Sequence, residues 1–395
     1  MVNTSAADAT VSSVTTNAAP PNDGNGYAWI SYFRGLAGLA GVARSVPMES
    51  QEALHVRYLA NYALPCETDV HNELVQRLAT CGANAHATLA GRAAATNSDI
   101  TRVSANSSDR AAVSSWFVSA FHALTLLDPR LSSTGYAAYY TPKPTGAKPI
   151  AWPYTAGADV YRGRGARYNG MTVAFPANNA STPLLSYTVG SESPEPFRTA
   201  TNGCKAWGSL TQVSAPVMIQ WPLAAAAGGA GSIVDLTTGV AQPTCSLDAN
   251  AYPAGSLQQQ ILSGVSRVTK SAIYYAQNPF VPGHRYQLRV RGVAVTTFWA
   301  GVVPTPMNIT GHGAPGAAIL SWSASASGIG GTPVYQARAY PTATCGTGAV
   351  AGAATNGLAT KITGLVRGRV YYFRVAAVNS ANSSRWSPCV AIRST

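Results

Sequence analysis

The stretch that decides the C-terminal fold covers residues 362–379 and reads ITGLVRGRVYYFRVAAVN. Its runs of β-branched and aromatic residues are separated by glycines, which predicts strands joined by tight turns. The same pattern of short β-prone runs separated by Gly and Pro occurs throughout residues 304–395, after the linker-like segment Val303-Pro304-Thr305-Pro306. It also occurs in the preceding region, which begins at about residue 190, where the helical pattern ends. Short strands at this spacing predict a β-sandwich in each region.

Five strands are expected in the first of these two β regions. The apolar and β-branched runs that predict them cover residues 213–221, 232–236, 272–275, 285–295 and 296–303. Pro and Gly residues separate these runs and predict the turns.

The N-terminal part has a helical pattern instead. Apolar residues recur at intervals of three and four, which predicts helices over residues 27–37, 52–60, 69–78 and 111–118. Ser108 and Asp109 are suited to cap the last of these helices. Residues 135–140 then read as a strand. Helices followed by strands indicate an α+β domain.

Composition sets the broad class of the protein. The chain has 395 residues, of which 46% are hydrophobic and only 11% charged, which is typical of folded domains and suits two to four of them. No apolar run approaches the roughly 20 residues that a membrane-spanning helix needs. Residues 1–24 read as a flexible tail rich in Ser, Thr and Ala, without the basic and apolar regions of an intact signal peptide.

The six cysteines fall into three separated pairs along the chain. Six cysteines allow fifteen pairings. Pairing of nearest neighbours is favoured because each disulfide then closes a loop inside one domain, which predicts Cys66–Cys81, Cys204–Cys245 and Cys345–Cys389. An even number of cysteines favours an oxidising compartment. The alternative is a cytosolic protein with six buried thiols.

Charge is distributed unevenly. The net charge is +12, and all fifteen Asp and Glu residues lie in residues 1–248, where fifteen basic residues balance them. Residues 249–395 contain twelve Arg and Lys residues and no acid. This asymmetry suggests an anionic partner. Two pairs of arginines, Arg289 with Arg291 and Arg367 with Arg369, would each point to one face if extended. Equally, the arginines could only keep the domain soluble.

Residues 30–39, 66–84 and 112–122, taken in this order, resemble bacterial members of the CAP superfamily, the relatives of cysteine-rich secretory proteins, antigen 5 and pathogenesis-related protein 1. Ile30-Ser31-Tyr32-Phe33-Arg34-Gly35-Leu36-Ala37-Gly38-Leu39 resembles the opening helix. CETDVH at residues 66–71, followed by CGAN at 81–84, is similar to the family's "C…HS" and "CGEN" segments. AVSSWFVSAFH at residues 112–122 resembles the helix end "W–SPGH". The resemblance covers residues 25–188 and implies an α/β/α sandwich.

The resemblance implies a central cleft in which the family places two histidines and two glutamates, and where some members bind a divalent metal. His71 and His122 match the two histidines, whereas Ala83 and Ser119 stand at the glutamate positions. We therefore expect His71 and His122 to face one another across the cleft. Two imidazoles are fewer ligands than a stable metal site usually has. Glu73 could act as a third ligand, although on an ideal helix it points about 160° away from His71.

The remaining motifs predict no further site. His55 and His86 have no partner at a recognisable spacing and are expected on helix surfaces. Arg162-Gly163-Arg164-Gly165 lacks the strand and helix that flank a phosphate-binding loop and is expected to be a solvated loop.

Both β regions resemble known modules. VPGHRYQL at residues 281–288 resembles the "L-x-PG-x-x-Y" segment of immunoglobulin-like domains. Residues 304–395 resemble fibronectin type III over nearly their full length, through Ile319-Leu320-Ser321-Trp322, Val334-Tyr335 and the stretch at 362–379. The resemblance implies that Trp322 fills the sandwich core and that the Tyr371 hydroxyl bonds back to the backbone.

The sequence thus predicts a multidomain protein. A CAP-like α+β domain (25–188) is followed by an immunoglobulin-like β domain (189–303) and a fibronectin type III-like domain (304–395). The favoured function is an exported, non-enzymatic binding or surface protein, with a cleft for an apolar (lipid) or glycan ligand. Its basic β modules would attach to an anionic envelope or matrix polymer, and no specific nucleic-acid partner or cofactor is expected. The alternatives are a metal-dependent hydrolase using His71 and His122, and an assembly subunit whose sandwiches pair through their edges.

Overall fold

A computed structural model describes most of the chain: residues 21, 24–61, 70–71, 73, 86–103, 107–140, 154–165, 170–223, 228–264, 269–301, 306–323, 334–346, 348–378, 384 and 386–395. The expected disulfide Cys66–Cys81, residue Ala83 and most of the expected tail and of the expected helix at 69–78 lie outside the described residues.

Six α-helices occur in the described residues: α1 (Gly26–Gly35), α2 (Val46–Ala60), α3 (Leu89–Ala95), α4 (Asp109–Val118), α5 (Ala120–Leu126) and α6 (Leu257–Ser263). The Ser108 side chain caps α4 by accepting a hydrogen bond from the Ala111 N–H. The helix α6 differs from the expectation that helices end near residue 190. The Ser256 side chain caps its start, and Gly264, with φ +80°, ends it.

The helical part contains the strands β1 (Ala43–Arg44), β2 (Ser98–Val103), β3 (Ser133–Thr134), β4 (Tyr136–Tyr140) and β5 (Tyr154–Asp159). The central strand β5 pairs antiparallel with β2 and β4, and β1 pairs parallel with β3. Helix α2 packs on one face of the three-stranded sheet, where a Cβ on Gly157 would meet Glu52 and Val56. Helix α5 contacts the other face, where Thr125 bonds to Asp99.

Eleven strands follow in the described residues up to Ala300: β6 (Val173–Phe175), β7 (Ser181–Thr182), β8 (Ser186–Thr188), β9 (Gln212–Ser214), β10 (Val217–Pro222), β11 (Gly231–Asp235), β12 (Val240–Gln242), β13 (Thr244–Leu247), β14 (Thr269–Ala276), β15 (Arg285–Val290) and β16 (Val293–Ala300). Two short 3-10 helices, Gly203–Ser209 and Ala249–Ala251, lie among them. The two main sheets have the strand orders β13-β14-β10-β6 and β12-β11-β15-β16-β7, and β8 pairs with β9. Strands β6 and β7 therefore belong to sheets whose other strands lie after residue 188.

The expected strand over residues 285–295 is a hairpin instead. β15 ends at Val290, and a two-residue turn with φ 51° at Arg291 and φ 80° at Gly292 leads into β16. Positive φ at both central residues matches the twist of the flanking strands. Arg291 therefore lies in a turn, and strand alternation does not place it on the same face as Arg289.

One hydrophobic core joins the helices to the sheets that follow them. The Phe33 and Phe117 rings stack at 4.6 Å, Phe117 lies 5.6 Å from Phe175 on β6, and Phe121 of α5 lies 6.3 Å from Tyr252. The buried residues of this core run from Trp29 to Ala300. Packing is thus continuous across the expected boundary at residues 188 and 189.

The last region is a two-sheet sandwich with its own core, as expected. Its strands are β17 (Met307–Ala314), β18 (Ala317–Ser323), β19 (Val334–Tyr340), β20 (Ala351–Thr355), β21 (Ala359–Thr363), β22 (Val370–Val378) and β23 (Val390–Arg393). They form the sheets β17-β18-β21 and β20-β19-β22-β23. Trp322 is buried between the sheets, with its ring 5.4 Å from that of Tyr335.

Local details of both sandwiches agree with the sequence motifs. The Tyr371 hydroxyl accepts a hydrogen bond from the Val366 N–H at 3.1 Å, as expected, and Tyr286 accepts one from Val281 at 2.9 Å. The expected disulfides Cys204–Cys245 and Cys345–Cys389 are both formed.

Candidate functional site

Two ionisable residues of α2 are buried in the helical region. Glu52 and His55 lie three residues apart, so they share one face of the helix, and both are fully buried. The expectation that His55 lies on a helix surface is therefore wrong. Sequence spacing could not reveal this, because its partner Glu73 is eighteen residues further along the chain.

His55 and Glu73 form a buried hydrogen-bonded pair. His55 Nδ1 lies 2.9 Å from Glu73 Oε1, and Nε2 lies 3.1 Å from the Val70 carbonyl oxygen. A carbonyl oxygen only accepts, so Nε2 is placed to donate to it, while Nδ1 faces the carboxyl group of Glu73. The other oxygen of Glu73 accepts the Thr88 N–H at 2.9 Å. Both ring nitrogens of His55 thus have protein partners within hydrogen-bond distance.

Glu52 is a buried carboxyl group that favours its neutral form. Burial raises its pKa to about 8, and the charges of Asp159 and Asp99 act in the same direction, although the hydrogen bond from Ser98 opposes them. One carboxyl oxygen, Oε1, has no hydrogen-bond partner among the described residues. Gly157 leaves the space for this carboxyl group.

His122 belongs to a second polar group on α5. Glu192 Oε1 accepts hydrogen bonds from the Phe121 N–H at 2.7 Å and the His122 N–H at 3.1 Å, and lies 3.0 Å from His122 Nδ1. The Thr125 hydroxyl contacts both the Asp99 carboxylate and the His122 carbonyl oxygen. Burial lowers the pKa of His122, but the bond to Glu192 and the charges of Asp99 and Glu192 outweigh it and raise the pKa to about 8.

The candidates from the sequence have partners other than those expected. Glu73 bonds to His55, and His122 bonds to Glu192, which sequence reasoning missed because it lies seventy residues away. His71 Nδ1 lies 3.2 Å from the Ala95 carbonyl oxygen. That His71 and His122 face one another stays a prediction. No group of three or more His, Cys, Asp or Glu side chains suited to a metal occurs within the described residues.

A cavity of about 480 Å³ lies over the Cys204–Cys245 disulfide. Trp207, Thr244 and Asp248 are among its lining residues. Two of its polar side chains accept hydrogen bonds from the backbone and so stabilise the fold. Both oxygens of Asp248 accept backbone N–H groups, those of Gly229 and Asn250, and the Thr244 hydroxyl oxygen accepts the Ile233 N–H.

The four arginines expected to bind polyanions lie in one strand and two turns. Arg289 is exposed on β15, with its Nε donating to Gln287, whereas Arg291 in the turn packs against Gly229. Arg367 and Arg369 are exposed in the turn before β22, around Gly368 with φ 74°. A turn rather than an extended segment holds this second pair, so alternation does not place it on one face.

Comparisons with known proteins find similarity to solved structures alone. No protein-family model and no curated protein matches the chain. Similar solved structures include the FN5 domain of Drosophila Lar, with 15% identity over 22% of this chain and 92% of that chain, and a TM-score of 0.19. The fn3 domain of human collagen alpha-1(XX) chain has 22% identity over 23% of this chain and 84% of its own, with a TM-score of 0.19.

An Fn3-like protein from Clostridium thermocellum is similar over 23% of this chain and 92% of that chain, with 20% identity and a TM-score of 0.19. These structural neighbours are fibronectin type III domains, but such low scores carry no functional argument. The fibronectin type III-like character of the last sandwich rests on its own two sheets, buried Trp322 and corner Tyr371. Among the described residues, no helix is long and apolar enough to cross a membrane.

Proposed function

We propose that the protein is an extracellular, non-enzymatic binding protein that attaches to an anionic envelope or matrix polymer through its C-terminal third. The observation that carries this proposal is the segregation of charge: residues 249–395 contain twelve basic residues and no acid. In the fold, several of these charges lie on the surface of the last sandwich, among them Arg338, Lys361, Arg367, Arg369 and Arg393. Because this segment contains no Asp or Glu, no acidic side chain of its own neutralises them.

Two further features support an extracellular binding role. Disulfides form and persist in oxidising compartments, and one disulfide crosslinks each β region. In the helical region, the buried polar side chains form hydrogen bonds with other protein groups. Both ring nitrogens of His55 contact Glu73 and Val70, and Glu192 bonds to the first turn of α5 and to the His122 side chain. This arrangement favours structural roles for these residues over catalysis.

For the helical domain we propose a CAP-type α/β/α fold of a secreted bacterial protein, with a cleft for an apolar or glycan ligand. The proposal is supported by the sequence segments at 30–39, 66–84 and 112–122 and by helices that contact both faces of the three-stranded sheet. Zinc titration tests the non-enzymatic part: stoichiometric binding that is lost in His71→Ala would contradict it.

Chromatography of the full chain tests attachment. We expect retention on heparin and on teichoic-acid resin at low salt and elution as salt rises, because the Debye length shortens from about 10 Å at 0.1 M to about 3 Å at 1 M. The triple variant Arg338→Gln/Lys361→Gln/Arg369→Gln should elute at lower salt than the wild type.

A matched variant removes the same charge from the balanced part of the chain. Arg57, Arg198 and Lys205 are exposed there, and their replacement by Gln should leave the elution salt unchanged. Flow-through of the wild type at low salt, or equal shifts in both triple variants, would refute the attachment.

A further inference from the structure

Two arginines lie directly opposite one another on the outer face of the last sandwich. In the antiparallel pair β19–β22, Arg338 is the register partner of Arg374, and Tyr340 is that of Tyr372. Their neighbours Ala337, Ala339, Phe373 and Val375 are all buried in the core. Because side chains alternate along a strand, Arg338 and Arg374 point away from the core, on the outer face of the sheet.

This juxtaposition is electrostatically unfavourable in the isolated protein. Opposite residues of an antiparallel pair have Cβ atoms about 4.5–5.5 Å apart, and like charges there destabilise the pair. Residues 249–395 contain no Asp or Glu side chain that could neutralise it. Moreover, Arg374 Nε is buried without a hydrogen-bond partner among the described residues. A bound anion would relieve the repulsion between the two guanidinium groups.

Stacking holds Arg338 ready for such a ligand. Its guanidinium carbon lies 4.8 Å from the ring centroid of Trp386, a cation–π contact. Stacking uses the face of the guanidinium, so its N–H groups remain directed outwards at the edge, where they can bind an anionic oxygen in a bidentate manner.

The surface beside the pair is open. Gly352 of β20 is the register partner of Arg338 on the side away from Arg374, and a Cβ there would lie 3.7 Å from Arg338 Cγ. Gly352 and Ala354 are both exposed and small. Gly352, Arg338 and Arg374 thus form a row that runs across three strands, with the partly exposed ring of Tyr372 next to it. An extended polymer can lie along this row.

We propose that this row, named here the Arg338–Arg374 platform, binds a segment of a sulfated or phosphorylated polysaccharide. The guanidinium groups bind neighbouring anionic groups of the polymer, and Tyr372 and Trp386 supply aromatic surface for its sugar rings. The disulfides favour a compartment in which polyanions are glycans rather than nucleic acids. The platform rests on the proposed function, since it locates the polymer attachment on one face.

Binding of a fluorescent heparin oligosaccharide to the full chain tests the platform. Arg338→Gln/Arg374→Gln should weaken binding at least about tenfold, because two charge-assisted contacts are lost. The dependence of log Kd on log salt should also become less steep, since fewer counterions are displaced. Arg367→Gln/Arg369→Gln removes the same charge from the same sandwich and should weaken binding less than about threefold.

The outcomes separate the two proposals. Absence of heparin binding by the wild type at low salt would refute the proposed function itself. Wild-type binding that Arg338→Gln/Arg374→Gln leaves unchanged, or that Arg367→Gln/Arg369→Gln weakens as much, would refute only the platform. Equally tight binding of a single-stranded DNA of the same charge would refute the polysaccharide assignment. Should the double variant unfold, Arg338→Lys replaces one exposed side chain and keeps its charge; unchanged binding by it would contradict the bidentate contact.

Discussion

At the scale of single residues, two carboxyl groups of α2 lie in different environments. Glu52 lies beside Ser98 and Gly157 with its pKa raised to about 8, whereas Glu49, one turn earlier on α2, bonds to Arg44 and Tyr27, which lowers its pKa. The two residues therefore make contributions of opposite sign to stability.

The Glu52→Gln variant should become more stable relative to the wild type as pH rises. The folded-state pKa of Glu52 is above the unfolded value of 4.5, so the native state binds more protons and its stability decreases from about pH 4.5 to pH 8. Gln keeps the acceptor for Ser98 and does not titrate. We expect the difference in unfolding free energy to grow by a few kcal/mol between pH 5 and pH 9, at roughly 1.4 kcal/mol per unit of pKa shift.

Thermal unfolding of Glu49→Gln across the same pH range is the control. The folded pKa of Glu49 is lowered, so its contribution is present above the unfolded pKa and is lost as pH falls through the folded value. This variant should be slightly less stable at pH 7, by less than about 1 kcal/mol for a partly exposed ion pair. Parallel pH profiles of Glu52→Gln and the wild type would contradict the assignment.

A second residue-scale prediction concerns His122 and Glu192. Because the folded pKa of His122 is about 8 and its unfolded value 6.5, the pair stabilises the fold fully below pH 6.5 and loses this contribution as pH rises through 8. In Glu192→Gln, burial should dominate and bring the His122 pKa below 6.5. NMR titration of the imidazole measures this shift. A pKa that stays near 8 would show that Glu192 is not its cause.

At the scale of elements, each β region has a tyrosine that ties a turn to a strand. Removal of the Tyr371 hydroxyl in Tyr371→Phe leaves the Val366 N–H without its acceptor, and Tyr286→Phe does the same to Val281. Each change should destabilise its own sandwich by about 1–3 kcal/mol. Denaturant titration measures the loss.

The neighbouring Tyr372 provides the control for this substitution. Its side chain is half-exposed on the outer face, so Tyr372→Phe should alter stability by less than about 0.5 kcal/mol. Equal losses in Tyr371→Phe and Tyr372→Phe would contradict the role of the corner hydrogen bond.

What the sequence could predict also depends on scale. Strands follow from local patterns, because turn residues and alternation act within short stretches, and two disulfides follow from pairing of nearest neighbours. The roles of Tyr371 and Trp322 follow from the resemblance to fibronectin type III. The buried pair His55–Glu73, the contact of His122 with Glu192 and the register of Arg338 with Arg374 join residues from different elements. Strand pairing and helix packing determine those contacts, and the spacing of residues along the sequence does not predict them.

At the scale of the whole molecule, the arrangement of the two hydrophobic cores predicts how the protein unfolds. The first core contains buried residues of α1, α4 and α5 together with those of the sheets up to Ala300, and a second core, from Ala318 to Ile392, fills the last sandwich. Strands β6 and β7 precede residue 188 yet complete sheets formed by later strands. The helices and the first sheets should therefore unfold together, although the sequence predicts a domain boundary between them.

Differential scanning calorimetry of the full chain should accordingly show two transitions. Phe117→Ala, which removes a buried ring between Phe33 and Phe175, should lower only the transition of the first core, and Phe373→Ala only that of the second. Each substitution costs roughly 3–5 kcal/mol, enough to displace a transition by several degrees. A third transition that Phe117→Ala leaves in place would mean that the sheets after residue 188 fold independently of the helices.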